Sequence, residues 1–115
     1  MNKIRLVVNN ESKRNVKEKF FIKKELQSIL NLYAKMVSNG SWKDYSFTSD
    51  TKEVSFNIYQ RASEKPVIRI SKNLKPKYFN ERYFIKDRDG AILKKSENLN
   101  QLINKMSWNK LRIIK

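Results

Sequence analysis

The sequence contains no cysteine and no histidine, only two glycines and two prolines, and just 11 acidic residues among 115. Without cysteine there is no disulfide framework, no zinc ribbon and no thiol nucleophile. Without histidine, the commonest general base and the commonest transition-metal ligand are both missing. Two glycines leave no room for a Gly-rich phosphate loop, which excludes nucleotide hydrolysis of the P-loop kind. Long apolar runs are missing too. The longest near the start is Leu6-Val7-Val8, far short of a signal h-region or of the roughly 20 residues a membrane span needs. These absences predict a cytoplasmic protein with no catalytic residues, no metal, no cofactor and no membrane insertion.

Base is plentiful. Lysine and arginine number 26, giving a formal net charge of +15, and hydrophobic residues make up 39% of the chain. That is low for a globular chain but too high for a fully disordered one. A chain of this length makes one domain and buries about two thirds of its unfolded surface. Lysine outnumbers arginine 19 to 7, beside 13 asparagines and 11 isoleucines, a bias that AT-rich codons produce. Such drift exchanges arginine for lysine but does not by itself deplete acids, so the excess charge points to an anionic partner.

Residues 1–19 carry six basic and two acidic side chains around Asn9-Asn10 and read as a flexible basic arm, with a short strand over Ile4 to Val8. Residues 20–115 read as a single α+β domain. From Phe20 to Asn39 the period is helical, with Ile22, Leu26, Ile29, Tyr33 and Met36 on one stripe, Leu30 and Val37 beside it, and Asn39-Gly40 as the stop. The period then falls to two. Val54, Phe56 and Ile58 alternate with Ser55, Asn57 and Tyr59, and Tyr45 to Thr48 is the expected partner strand. Val67 to Ser71 is a third strand, and Tyr83 to Lys86 and Ala91 to Lys94 flank a two-residue hairpin turn at Asp89-Gly90. Ser96 reads as the N-cap of a last helix, in which Leu99, Leu102, Ile103 and Met106 share a face. The expected fold is an antiparallel sheet of about five strands with an N-terminal and a C-terminal helix on one face.

Three strings together resemble a known family. They are Leu26-x-x-Ile29-Leu30-x-Leu32-Tyr33, Gly40-x-Trp42-Lys43-Asp44-Tyr45, and Phe56-x-x-x-Arg61-Ala62-Ser63-Glu64-x-Pro66-x-x-Arg69-Ile70. With Ile92-Leu93-Lys94 and the Leu99-x-x-Leu102 helix, the stretch from Phe20 to Met106 is similar to the small alphaproteobacterial domain of unknown function 2794. The resemblance implies a bacterial, cytosolic source and brings no activity with it. The lysine- and asparagine-rich substitutions and the run Lys13 to Lys19 depart from that family's usual look.

The sharpest electrostatic feature spans Lys65 to Asn80, where Lys65, Arg69, Lys72, Lys75 and Lys77 occur with no acid between them. Tyr78 and Phe79 follow, then Arg82, and residues 63–95 as a whole carry +6. Cations beside aromatic rings suit a phosphate backbone with unstacked bases. The bland alternative is a solvated sheet face with Tyr78 and Phe79 packed as core. Arg61-Ala62-Ser63-Glu64-Lys65-Pro66 lacks any histidine to activate Ser63 and reads as a turn, with Glu64 pairing Arg61 or Arg69. Trp42 reads as a cover for the helix–sheet junction, or less readily as a stacking platform. Asp50, Glu53, Asp87 and Asp89 fall at expected turns, apart from one another, and make a poor nuclease centre.

The reading is a non-enzymatic nucleic-acid-binding protein, RNA or DNA, gripping phosphates with Arg61, Arg69, Lys72, Lys75, Lys77 and Arg82. The rival is a protein-interaction module that docks on an acidic partner or in a larger assembly.

Overall fold

The computed structural model describes residues 18–61, 65–106 and Trp108. Helix α1 (Lys23–Ser38) begins after an extended Ile22, whose backbone N–H donates to Glu25 Oε1 at 2.8 Å. That bond is the reciprocal half of a capping box, since Ile22 has no side-chain acceptor of its own. The helix stops where Gly40 takes φ +82°, a left-handed value that glycine adopts without Cβ strain.

Five strands follow: β1 (Asp44–Ser49), β2 (Glu53–Tyr59), β3 (Ile68–Asn73), β4 (Tyr83–Asp87) and β5 (Ile92–Ser96). They pair antiparallel in sequence order, and a short helix, α2 (Leu99–Lys105), closes the domain. The expected α+β fold, a five-stranded antiparallel sheet with both helices on one face, is the observed one. Cross-strand register places Phe47, Phe56, Ile70 and Ile85 in a single row. Because side chains alternate across a strand, this row and its neighbours Val54, Ile58 and Ile68 form one apolar sheet face. Ile29, Leu32 and Met36 of α1 and Leu99 and Leu102 of α2 close over it in one continuous core. Each fully buried aliphatic or aromatic side chain there contributes about 1.5–3 kcal/mol.

Three local details differ from expectation. The buried line of α1 is Glu25, Ile29, Leu32 and Met36. Leu26 and Tyr33 are only half-buried, and Ile22, Leu30 and Val37 stay exposed. The helix is turned so that Glu25 meets groups on β3 and β4, which carries its second apolar line toward β1. The β4–β5 hairpin is one residue wider than a two-residue turn. Asp87 N–H donates to Ala91 C=O at 2.9 Å, enclosing Arg88, Asp89 and Gly90, with Gly90 at φ +90° and a register shift at Ile85/Lys86. The N-cap of α2 is Asn98, whose Oδ1 accepts from Gln101 N–H at 3.0 Å. Ser96 instead ends β5, and its Oγ accepts from Asn98 N–H at 3.1 Å.

The proposed arm over residues 1–19 lies outside the described residues except for Glu18 and Lys19. Among the described residues, no helix is long and apolar enough to cross a membrane.

Candidate nucleic-acid interface

The loop between β3 and β4 is pinned at its base and open at its tip. Asn73 N–H donates to Arg82 C=O at 2.8 Å, Leu74 N–H to Lys52 C=O at 2.8 Å, and Lys75 N–H to Asn73 Oδ1 at 2.9 Å. Leu74 packs against the core, and a single 3₁₀ turn, Phe79–Glu81, returns the chain to β4. Between these anchors Lys75, Pro76, Lys77, Tyr78, Phe79 and Asn80 are all exposed. Tyr78 is 61% and Phe79 78% accessible, so the bland alternative, in which they are core under a loop, does not hold.

Lys72 requires a correction. Its side chain is 1% accessible, and its ammonium lies 2.8 Å from Glu25 Oε1, 2.6 Å from Glu18 Oε1 and 3.3 Å from Phe20 C=O. Glu25 is itself buried and also accepts the Tyr83 hydroxyl through Oε2. Burial, with Glu25 holding its proton, raises the Tyr83 pKa well above the usual phenol value. Arg82 reaches the same Glu18 oxygen at 3.2 Å, with its guanidinium 5.5 Å from the centre of the Tyr83 ring. Lys72 is therefore no surface cation. It joins the segment before α1 to the sheet, and Arg82 borders that contact. The physical reason is register: Lys72 shares a face with Ile68 and Ile70, opposite Tyr83 of β4.

Arg69 points the other way, exposed on the sheet face that neither helix covers, with Asn57 on one side and Lys86 on the other in register. Arg61 is exposed just past the end of β2. This is the far end of the sheet from Lys75 and Lys77, about 20 Å away along a strand. The six expected cations thus do not form one patch. Lys75 and Lys77 share the loop, Arg69 lies on the open face, Arg61 is at the opposite end, Lys72 is in the buried contact and Arg82 is half-exposed at its border.

Two further cations were not expected. Lys86 adjoins Arg69, and Lys95 adjoins Phe84 across β4 and β5. The Lys86 ammonium sits 5.2 Å from the centre of the Phe84 ring and 3.5 Å from Glu53 Oε2. The rest of this face is a hydrogen-bonded layer. Ser46 Oγ meets Tyr59 OH at 3.0 Å, Asn57 Nδ2 donates to Ser46 Oγ at 3.2 Å, and Ser55 Oγ meets Ser71 Oγ at 2.7 Å. Only the cross-strand register places Lys86 beside Arg69 and Lys95 beside Phe84, and register is not written in any one strand.

The remaining candidates serve structure. Asp50 accepts from the backbone N–H groups of Lys52 and Glu53, and these bonds hold its pKa below the ordinary carboxylate value. Asp87 accepts in the same way from Asp89 and Ala91. No group of carboxylates able to hold a metal ion occurs among the described residues. Trp42 is buried, with its ring centre 6.0 Å from Tyr33 and 5.5 Å from Trp108, so it covers the junction and offers no stacking platform. Ala62, Ser63 and Glu64 lie outside the described residues. A cleft of about 270 Å³ lies between the first turns of α1 and α2, and its lining includes Glu25 and Tyr83, which are already bonded to each other.

The sequence model of the family described as "Protein of unknown function (DUF2794)" matches residues 19–103. No curated protein and no solved structure matches the chain.

Proposed function

We propose that this chain, which belongs to the DUF2794 family, is a non-enzymatic, cytoplasmic nucleic-acid-binding protein that grips single strands through their phosphates. The observation that carries the reading is the β3–β4 loop. Tyr78 and Phe79 stand in water directly beside Lys75 and Lys77. Leaving a large aromatic side chain exposed forgoes about 1.5–3 kcal/mol of burial. Rings held out among cations fit unpaired bases, which stack on them while the ammonium groups neutralise the flanking phosphates. Arg69 and Lys95 add exposed cations on the sheet face away from the helices, with Lys86 beside Arg69. Binding then proceeds by release of condensed counterions and reads no base sequence.

The test is a fluorescence anisotropy titration against a single-stranded RNA, a single-stranded DNA and a duplex, repeated over a salt series. Single strands are expected to bind more tightly at every salt concentration. Lys75→Glu with Lys77→Glu should weaken binding and flatten the slope against log salt by about 0.7 for each lost contact. Phe79→Ala should cost about 1–3 kcal/mol while leaving the slope unchanged, because stacking releases no counterion. Equal, weak binding to all three that vanishes at physiological salt would sink the proposal.

One observation favours the rival. Ile92 and Leu93 are exposed on edge strand β5, next to Lys94 and Lys95. An acidic segment with apolar residues would dock on those side chains, its carboxylates meeting the lysines. This reading expects one stoichiometric protein partner, retained after nuclease treatment.

A further inference from the structure

The two edges of the sheet are protected differently. β5 carries Lys94 and Lys95, and the β4–β5 ladder is broken at Ile85/Lys86; lysines and bulges are the usual means of blunting a sheet edge. β1 has neither. Its sequence, Asp-Tyr-Ser-Phe-Thr-Ser, has no basic residue and no proline, and its six-residue register with β2 is unbroken. The Asp50 N–H···O=C Glu53 bond of 2.9 Å fixes the phase of that ladder. Bonding groups alternate in an antiparallel pair, so the N–H and C=O groups of Tyr45 and Phe47 face away from β2. In keeping with this, Tyr45 N–H is taken by its neighbour's carboxylate, Asp44 Oδ1, at 2.8 Å.

Beside this edge lies the second apolar line of α1. Leu26, Leu30, Tyr33 and Val37 recur at spacings of four, three and four, and Leu30 is 42% and Val37 41% accessible. The rings of Tyr33 and Tyr45 are 4.9 Å apart, Tyr45 and Phe47 5.8 Å, and Phe47 and Phe20 5.2 Å. Together they form a continuous aromatic wall from helix flank to sheet edge, with Tyr45 and Phe20 partly in water. Asp44 is the charged side chain of this strip, its carboxylate turned onto Tyr45 N–H, and no lysine or arginine stands among these residues on a chain of net charge +15.

We infer that the strip is a dimer interface, and that its occupant is a second copy of this chain. The edge asks for a strand, because the outward Phe47 N–H and the Tyr45 and Phe47 C=O groups are directional. The charge then selects which strand. A nucleic acid or an acidic protein is drawn to lysine, and the strip offers none. Two copies of a strongly basic chain, by contrast, approach closely only where neither presents a cation. A two-fold axis normal to the sheet and next to β1 satisfies both demands. It pairs β1 with its copy antiparallel, sets Tyr45 of each copy opposite Phe47 of the other, and extends the sheet to ten strands. Both α1 helices then lie on the same side, with Leu30, Tyr33 and Val37 meeting across the axis.

Sedimentation equilibrium of the full chain over a range of protein and salt concentrations tests this. The expected result is a doubling of mass with rising protein concentration, at a lower threshold as salt rises, since the contact is apolar and the two bodies repel. Nucleic-acid binding has the opposite salt dependence, so the two proposals fail separately. Leu30→Lys with Val37→Lys should leave a monomer where the unaltered chain has doubled. Tyr45→Lys, another exposed position, gives the same readout if the double variant loses its helical circular dichroism. Leu93→Lys on the opposite edge should leave the dimer intact. A chain that stays monomeric under every condition overturns the inference, and so does a dimer that survives the substitutions in the strip.

Discussion

An ammonium group taken out of water costs several kcal/mol unless each of its protons finds an acceptor. Lys72 has three: two carboxylates and the Phe20 carbonyl. Glu25 is equally complete, accepting from Ile22 N–H, Lys72 and Tyr83. Removing one member strands the others, so Lys72→Met should destabilise the domain by about 3–5 kcal/mol in urea unfolding. Adding Glu25→Gln should recover part of that loss, because no buried carboxylate is then left without its cation. An Lys72→Met protein of unchanged stability that bound nucleic acid weakly would return Lys72 to the surface. Tyr83 adds a pH signature. Its folded pKa is raised above its ordinary value of 10, chiefly by burial and then by the Glu25 hydrogen bond. The folded state therefore keeps a proton that the unfolded state gives up. This contribution is complete below pH 10 and declines as pH climbs past it. The stability gap between the unaltered chain and Tyr83→Phe should accordingly narrow above pH 10, measured by unfolding at fixed temperature. A gap that held constant into strong alkali would mean that Tyr83 is neither buried nor donating to Glu25 in the folded state.

Elements decide how much of this was readable in advance. The order of helix, strands and helix follows from periodicity alone, because a period of 3.6 over Phe20 to Asn39 and a period of two after it leave few alternatives. Part of the buried ion pair was legible as well. Lys72 is the next same-face residue after Ile68 and Ile70, and Glu25 sits four residues before Ile29 on the core line of α1. Extending each apolar pattern by one step places both charges in the core. Alternation along β3 sends Arg69 outward, opposite Ile68 and Ile70, and the same alternation carried on to Lys72 takes that lysine out of the run of cations and onto the core face. The exposure of Tyr78 and Phe79 was not legible, since the same residues would serve equally well as core beneath a loop. What decides it is the loop's anchoring through Asn73 and Leu74, a tertiary matter. The apolar breadth of α1 was visible, but not which of its two lines would face the sheet.

For the whole molecule, net charge ties these processes together through salt. A chain of +15 repels itself when compact, and the screening length shrinks from about 30 Å at 0.01 M salt to about 8 Å at 0.15 M. Among the described residues, surface ion pairs such as Lys86–Glu53 and Arg82–Glu18 are of a kind worth about 0–1 kcal/mol each. Screening them away loses little, whereas screening the excess of like charge gains over the whole surface. The melting temperature should therefore rise with sodium chloride across that range and level off above it. The Leu30→Lys, Val37→Lys protein, studied at low concentration, keeps association from adding to the shift. Sucrose at matched osmolality controls for effects of solutes other than screening. A melting temperature that fell with salt would mean that favourable ion pairs outweigh the repulsion. The excess charge would then be balanced within the fold and would no longer argue for an anionic partner. A rise would leave that charge uncompensated, which is the condition under which polyanion binding adds to folding stability by mass action.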